Sequence, residues 1–200
     1  MRLVLASASP RRRALLAAEG LTFDVVPSGI EERLAGALAA GPAAAALARD
    51  KAQAVAAQLR ESAVVLGADT LVVVGAADAP LDACSVLGKP ADADAARRTL
   101  VTLSGTRHRV VTGLCALAPA GTFLDSETTW VTMRPWTAAE IEAYVASDEW
   151  RDKAGGYAIQ SGADRFVTAL EGGGFDNVVG LPVARALALL RRAGWPDIPR

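Results

Sequence analysis

Unbroken apolar runs at Leu3-Val4-Leu5, at Ala63 to Leu66 and at Leu71 to Val74 mark strands buried on both faces, whereas the segments between them carry helical spacing. From Arg107 onward the pattern changes. Arg107 to Leu117 is a long β run and residues 123 to 133 a partly alternating one, which together predict an antiparallel pair. Alternation of strand and helix in the first hundred residues, followed by strand-rich sequence, predicts α/β architecture with a mixed twisted sheet, in two lobes flanking a central cleft. There is no internal repeat and no low-complexity linker, so residues 1–200 are expected to form one domain.

Helix and turn signals set the boundaries. Ser9-Pro10 predicts an N-cap and first helical residue, with the helix running through Leu15-Leu16 to Gly20. Leu21 to Pro27 predicts a second strand, and Ser28-Gly-Ile-Glu-Glu32 a polar turn that leaves two carboxylates at its exit. Residues 42 to 60 predict an Ala-rich helix with Lys51 near its middle, where a lone lysine is ordinarily solvated. Residues 75 to 90 predict a loop ending in Gly88-Lys89-Pro90, before Asp92 caps a helix to Leu103. Thr137 and Glu140 form a capping box for a helix to Ser147. Residues 152 to 160, with Gly155 and Gly156, predict backbone held close to a neighbour or a tight turn. Gly172 to Gly174 predict a flexible turn, Asn177 to Pro182 the approach to a last helix, and Arg191 to Arg200 a polar tail.

Two places carry chemistry. The first is the strand-to-helix turn Ser7-Ala-Ser-Pro-Arg-Arg12, where helix N–H groups, the Ser7 and Ser9 hydroxyls, Arg11 and Arg12 give either an anion site or an N-capped helix with a solvated Arg run. Cations in a first helical turn oppose the helix dipole at a cost of about 0.3–1 kcal/mol, which a bound polyanion reverses. The second is Asp69, a carboxylate between two β runs, whose burial is costly without a compensating cation or donors. The lone His108, starting a strand, reads as structural.

Composition narrows the classes. With 52% hydrophobic residues, 22% charged residues and a net charge of −1, the chain is an ordinary globular one without the basic surface of a duplex nucleic-acid binder. Only 5% of residues are aromatic, too few for a single-strand stacking groove. No apolar run approaches the ~20 residues needed to span a bilayer, and the N-terminus lacks a signal-peptide pattern, so a cytoplasmic protein without membrane association is expected. Cys84 and Cys115 have no nearby Cys or His partner, which argues against a zinc site or a disulfide framework.

The cations Arg11, Arg12, Lys51 and Lys89, together with the acids Glu32 and Asp69, are the two sets that phosphoanhydride hydrolysis needs. No Walker A sequence is present. Eight ordered motifs then resemble those of the Maf family of nucleoside triphosphate pyrophosphatases. They are SASPRRRALL at 7–16, Glu31-Glu32 after Ser28-Gly29, ARDKA at 48–52, LGADT at 66–70, LGKP at 87–90, LSGTRHRVVTG at 103–113, SDEWRDKAGGYAIQ at 147–160 and NVVGLPV at 177–183.

The resemblance implies a two-lobed fold related to the inosine triphosphatases, a homodimer, a divalent metal such as Mg²⁺ or Mn²⁺, and cleavage of a nucleoside triphosphate to monophosphate and pyrophosphate. Carried over by position, it makes Asp69 the proton acceptor or a metal ligand, and Glu32 the acid that binds metal or positions water. Arg11, Arg12, Lys51 and Lys89 match triphosphate-binding residues, with Ser7 and Ser9 beside them. Arg12, Thr70 and Gln160 stand at the positions associated with base preference, and all three resemble the branch acting on dTTP and UTP.

Three departures are visible: a longer segment at 75–87, Gly156 in place of a usual Ala, and Ser161 in place of a Gly. The alternatives are a pyrophosphatase for 7-methyl-GTP or other modified purines, one of broad specificity, and a nucleotide-sensing regulator of division or septum formation with weak hydrolysis.

Overall fold

The structure, a computed structural model, describes residues 2–34 and 37–196. Strand β1 (Arg2–Leu5) buries Leu3, Val4 and Leu5. Helix α1 (Pro10–Ala18) starts where the sequence predicts, with the Ser9 side chain accepting the Arg12 N–H and Pro10 in the first turn. The predicted strand Leu21 to Pro27 shrinks to β2 (Asp24–Val25). This segment pairs with β1 on one side only, and Pro27 has no N–H with which to continue the ladder.

Helix α2 (Ala40–Ala56) leads into β3 (Ala63–Val74), a single strand of 12 residues rather than two runs separated at Asp69. The ladder is unbroken because β5 (Arg107–Ala118) pairs with it from Val65↔Leu117 to Val73↔Arg109, with Asp69 opposite Gly113. The predicted loop at 75–90 is more ordered than expected. It contains a 3₁₀ turn at Leu81–Ala83 and strand β4 (Ser85–Leu87), which folds back on β3 with Val72↔Leu87.

Helix α3 (Ala93–Leu103) carries its Asp92 cap, and β6 (Gly121–Met133) forms the predicted antiparallel pair with β5. Helix α4 (Ala138–Ala146) opens with the Thr137–Glu140 capping box. The sequence did not predict β7 (Val167–Glu171) or the short α5 (Phe175–Val179), which lie on either side of the Gly172–Gly174 turn. Arg191 and Arg192 complete the last helix, α6 (Val183–Arg192), rather than starting a tail. Trp195 folds into the core beside Leu189 and Leu190, and residues 197–200 of the expected tail lie outside the described residues.

The sheet has the order β2-β1-β3-β5-β6-β7, with β4 also on β3; β1 is parallel to both neighbours and the remaining pairs are antiparallel. This is the mixed α/β sheet expected.

Successive side chains of β3 point to opposite faces of the sheet. On one face, Val64, Leu66 and Ala68 pack with Leu16 and Leu190, while Val72 joins a separate core with Leu100, Trp136 and Phe166. On the other, Val65 packs with Ala48 and Val55, and Leu71 and Val73 pack with Ala44 and Leu47. The polar Asp69-Thr70 pair sits at the waist between these cores, and the two lobes meet there.

Small residues bring α2 close to that waist. Its sheet-facing residues include Ala44, Ala48 and Ala52, and they lie over strand glycines. A Cβ on Gly67 would collide with the Ala48 carbonyl oxygen, and one on Gly113 with the backbone of Ala44 and Ala45. Lys51 is one turn beyond Ala48 on this face, and the close approach carries it under the sheet.

Candidate active site

Lys51 is the centre of the site. The sequence pattern predicts a solvated lysine, but the structure buries it at 8% exposure, because Asp69 and Glu32 supply countercharge. Its Nζ lies 2.5 Å from Asp69 Oδ1 and 2.6 Å from Glu32 Oε1. A buried ammonium held by two carboxylates is a satisfied but demanding arrangement, since removal of Lys51 would strand both carboxylates without a partner. Glu31, next to Glu32, turns outward to Arg33.

The pair Asp69 and Glu32 is unequal. The Asp69 side chain is 5% exposed, whereas that of Glu32 is 43% exposed. Burial alone would raise the Glu32 carboxyl, but the hydrogen bond and charge of Lys51, followed by the charges of Lys89 and Arg12, outweigh it and hold the group below its ordinary range. The influence of Lys89 on Glu32 also locates the Gly88-Lys89 loop. The antiparallel return of β4 brings the chain back toward the level of Thr70, with the Lys89 side chain exposed at the rim.

Arg12 lies on the other face of the sheet. Its Nε donates to Gly180 O at 2.7 Å, Nη1 to Ala68 O at 2.8 Å and Ser7 Oγ at 3.4 Å, and Nη2 to Thr70 Oγ1 at 2.8 Å. Four of the five guanidinium N–H groups are thereby engaged, and one remains for a ligand. Burial lowers the Arg12 pKa, and Arg11 adds to that while Asp69 and Glu32 oppose it. Thr70 Oγ1 also meets Thr112 Oγ1 at 3.0 Å, and Thr112 Oγ1 donates to Asn177 O.

Asn177 is fully buried, with Nδ2 donating to Val110 O and Thr129 Oγ1. The segment 177–183 thus acts as an anchor for α5, and its Gly180 carbonyl holds Arg12. Thr112, Asn177 and Gly180 were not identified as site supports from sequence; a buried amide in an otherwise apolar stretch is the signal that singles out Asn177.

The remaining candidates occupy the surroundings of this centre. Ser7 is buried and accepts from Ser9 N, and Ser9 Oγ caps α1. Arg11 donates to Asp152 O at 3.5 Å, which ties α1 to residues 152–160. Gly155 N in turn donates to Gly88 O, and a Cβ on Gly155 would press on both Val72 methyls, so the predicted close approach of this backbone is present. Gln160 is exposed after a turn closed by Ser161 N to Ala158 O, and its side chain has no partner among the described residues. His108 is buried against the Tyr157 hydroxyl at 2.9 Å and lies in the core, as its sequence context suggests.

Among the described residues, no group of three or more His, Cys, Asp or Glu side chains is placed to hold a metal ion. No helix among them is long and apolar enough to cross a membrane.

The family model described as "Maf-like protein" matches residues 2–193. The chain belongs to the Maf-like family. This Maf-like protein is 47% identical over 199 residues to a protein of Anaeromyxobacter dehalogenans strain 2CP-C named dTTP/UTP pyrophosphatase, with 98% of this chain and 95% of that protein covered. It is 44% identical to a Vibrio cholerae protein of the same name, covering 96% of this chain and 97% of that one. A solved nucleoside-triphosphatase / dITP/XTP pyrophosphatase from Mycobacterium abscessus aligns with 97% of this Maf-like chain and 95% of its own, at 15% identity and a TM-score of 0.45.

Proposed function

We propose that this Maf-like protein is a nucleoside triphosphate pyrophosphatase that hydrolyses dTTP and UTP to the monophosphate and pyrophosphate. The observation that carries the reading is the Glu32–Lys51–Asp69 cluster, buried at Lys51 and Asp69, beside a rim of further cations. The near-full-length relatives named dTTP/UTP pyrophosphatase support the choice of substrate.

In this reading water attacks the α-phosphorus in line with the bond to pyrophosphate, and Asp69 accepts its proton. Glu32, at the opening, orients the water. Charge growing on the departing pyrophosphate is met by Arg11, Lys51 and Lys89, while Arg12, most of whose donors are engaged, contributes chiefly its charge. Ser7 and the N–H groups at the start of α1 supply further donors to phosphate.

Two carboxylates, with substrate phosphates and water completing the shell, are a donor set that fits Mg²⁺ or Mn²⁺. Glu32 and Asp69 would hold such a cation, which when bound neutralises phosphate oxygens and acidifies water. Lys51 stands between the same carboxylates and would then be released to donate to phosphate. Thr70, whose hydroxyl is oriented by Arg12 and Thr112, and Gln160 at the turn are the groups proposed to read the pyrimidine.

The test is pyrophosphate release from dTTP, UTP, CTP, GTP, ATP and 7-methyl-GTP with Mg²⁺ or Mn²⁺, in parallel with Asp69→Asn. The expected result is a lead for dTTP and UTP and a loss of about a thousandfold or more in the variant. A lead for 7-methyl-GTP overturns the specificity assigned to Arg12, Thr70 and Gln160. Nucleotide binding without hydrolysis of any member would replace the enzyme with a nucleotide sensor.

A further inference from the structure

Thr70 and Thr112 face each other across the β3–β5 ladder, on the Arg12 side of the sheet. Thr112 is fully buried, whereas Thr70 is half-buried. Their hydroxyl oxygens are 3.0 Å apart, and the direction of that hydrogen bond follows from the partners on either side. Asn177 O, 3.1 Å from Thr112 Oγ1, is a carbonyl and can only accept, so the Thr112 proton points to it. Thr112 can then only accept from Thr70, which commits the Thr70 proton as well. Arg12 Nη2, 2.8 Å away, can only donate, and it occupies one of the two Thr70 lone pairs.

What Thr70 has left for a ligand is a single lone pair, so it accepts and does not donate. Turning its proton outward would leave two oxygens 3.0 Å apart with no proton between them, one of them shut away from water. This polarity is fastened from behind. Asn177 is fully buried, its Nδ2 donates to Val110 O and Thr129 Oγ1, and its carbonyl also accepts from Gly180 N at 3.0 Å, so the end of the chain is held in place. Gly180 brings no side chain over the pair: a Cβ there would stand 3.5 Å from Thr70 Oγ1 and 3.4 Å from Arg12 Nε. The one Arg12 N–H without a partner is on Nη2, the nitrogen that donates to Thr70. A fixed acceptor and a donor thus lie side by side, the complement of an imide N–H next to its carbonyl.

We propose that Thr112 is a positioning residue for base selection: by holding the Thr70 proton it makes Thr70 an acceptor that selects the N3–H of thymine and uracil and rejects the bare N3 of cytosine. The inference rests on the dTTP/UTP pyrophosphatase reading and deepens it. Thymine and uracil, once joined to the sugar, have a single N–H, at N3, so an acceptor that reads either base reads that group. A cytosine in the same pose sets its N3 lone pair against that of Thr70, and its N–H donors lie on the exocyclic N4 instead.

The experiment measures kcat and KM for UTP, CTP and N3-methyl-UTP, and calorimetric binding of UMP and CMP, with Mg²⁺ present, for the full chain and for Thr112→Val and Thr112→Ser. Melting curves accompany each variant. The wild type is expected to favour UTP over CTP and UMP over CMP, and to lose about tenfold or more in kcat/KM on N3-methyl-UTP. Thr112→Val keeps the shape of the threonine and frees the Thr70 proton to turn to the ligand, while Asn177 O stays paired with Gly180 N. The UTP-to-CTP ratio of kcat/KM and the UMP-to-CMP affinity ratio are then expected to fall about tenfold, through KM rather than kcat. Thr112→Ser, which keeps the hydroxyl, holds both ratios within about twofold of wild type.

A purely structural role for Thr112 predicts otherwise: UTP and CTP fall together in Thr112→Val and their ratio holds. That result overturns the proposal, as does a wild type that accepts N3-methyl-UTP as readily as UTP, or one that does not prefer uracil to cytosine. If Thr112→Val does not fold, Thr112→Cys, whose thiol is a weak acceptor, carries the same contrast. Wild type that hydrolyses UTP, with an unchanged UTP-to-CTP ratio in Thr112→Val, removes this inference alone. Uracil-selective binding that depends on Thr112 in a protein without hydrolysis removes the enzymatic reading and keeps the role of Thr112.

Discussion

The inner cluster of Glu32, Lys51 and Asp69 and the rim of Arg11 and Lys89 hold their charged groups in opposite states. Inside, Lys51 lies within 2.6 Å of both carboxylates, so its ammonium is countered before any ligand arrives and the trio carries one net negative charge. At the rim, Lys89 is exposed and the Arg11 side chain donates to the neutral Asp152 carbonyl. A paired, buried lysine is held in place by its neighbours, whereas an exposed rim cation favours the arrival of a polyanion. In the proposed reading the contrast separates groups placed for catalysis from groups placed for binding.

The strongest way to break the contrast is Lys51→Met, which leaves Asp69 buried without its partner. It is expected to destabilise the protein by about 3 kcal/mol and to abolish hydrolysis, as followed by urea unfolding and pyrophosphate release. Gly113→Ala tests whether close packing of α2 sets the inner geometry. A methyl there meets the backbone of Ala44 and Ala45, with an expected cost of about 2–3 kcal/mol and a fall in kcat at temperatures where the variant is still folded.

His108 sharpens the comparison from beneath the rim, because it holds Tyr157 in the segment whose Asp152 carbonyl accepts from Arg11. Burial lowers its pKa from 6.5 to about 4. The unfolded chain therefore takes up a proton as the pH falls through 6.5, while the folded chain resists until about 4. The His108 contribution is complete above that window and declines within it, by about 2 kcal/mol at pH 5. His108→Gln is expected to flatten this part of the pH–stability profile relative to wild type in urea titrations. The smallest effect belongs to Lys89→Gln. An exposed cation should raise KM about tenfold, more at low salt than at high, with little change in melting temperature.

Much of the fold could be read from local signals. Ser9-Pro10, Asp92 and the Thr137–Glu140 box mark helix starts that the structure retains, because a cap acts within one turn. Interpretation failed where a segment depends on distant neighbours. β4 exists only because β3 offers it a ladder, β2 is short because it has one partner, and Trp195 is buried because α6 brings it to the core that holds Leu16 and Leu66. The candidate site followed the same division. Asp69 announced itself as a carboxylate in apolar surroundings, whereas Lys51 looked solvated, since burial of a lysine leaves no local trace.

Residue order and type alone determined the helix starts, the antiparallel β5–β6 pair, the capped strand-to-helix turn at Ser7 to Arg12 and the resemblance to the Maf family. Each depends on neighbours in sequence or on a motif read in order. Tertiary structure alone decided that Asp69 and Thr70, adjacent in the chain, serve opposite faces of the sheet, and that Lys51 belongs to one and Arg12 to the other. The reason is the two-residue period of a strand combined with the close approach of α2 over Gly67 and Gly113, which turns an ordinary helix position into the centre of the site.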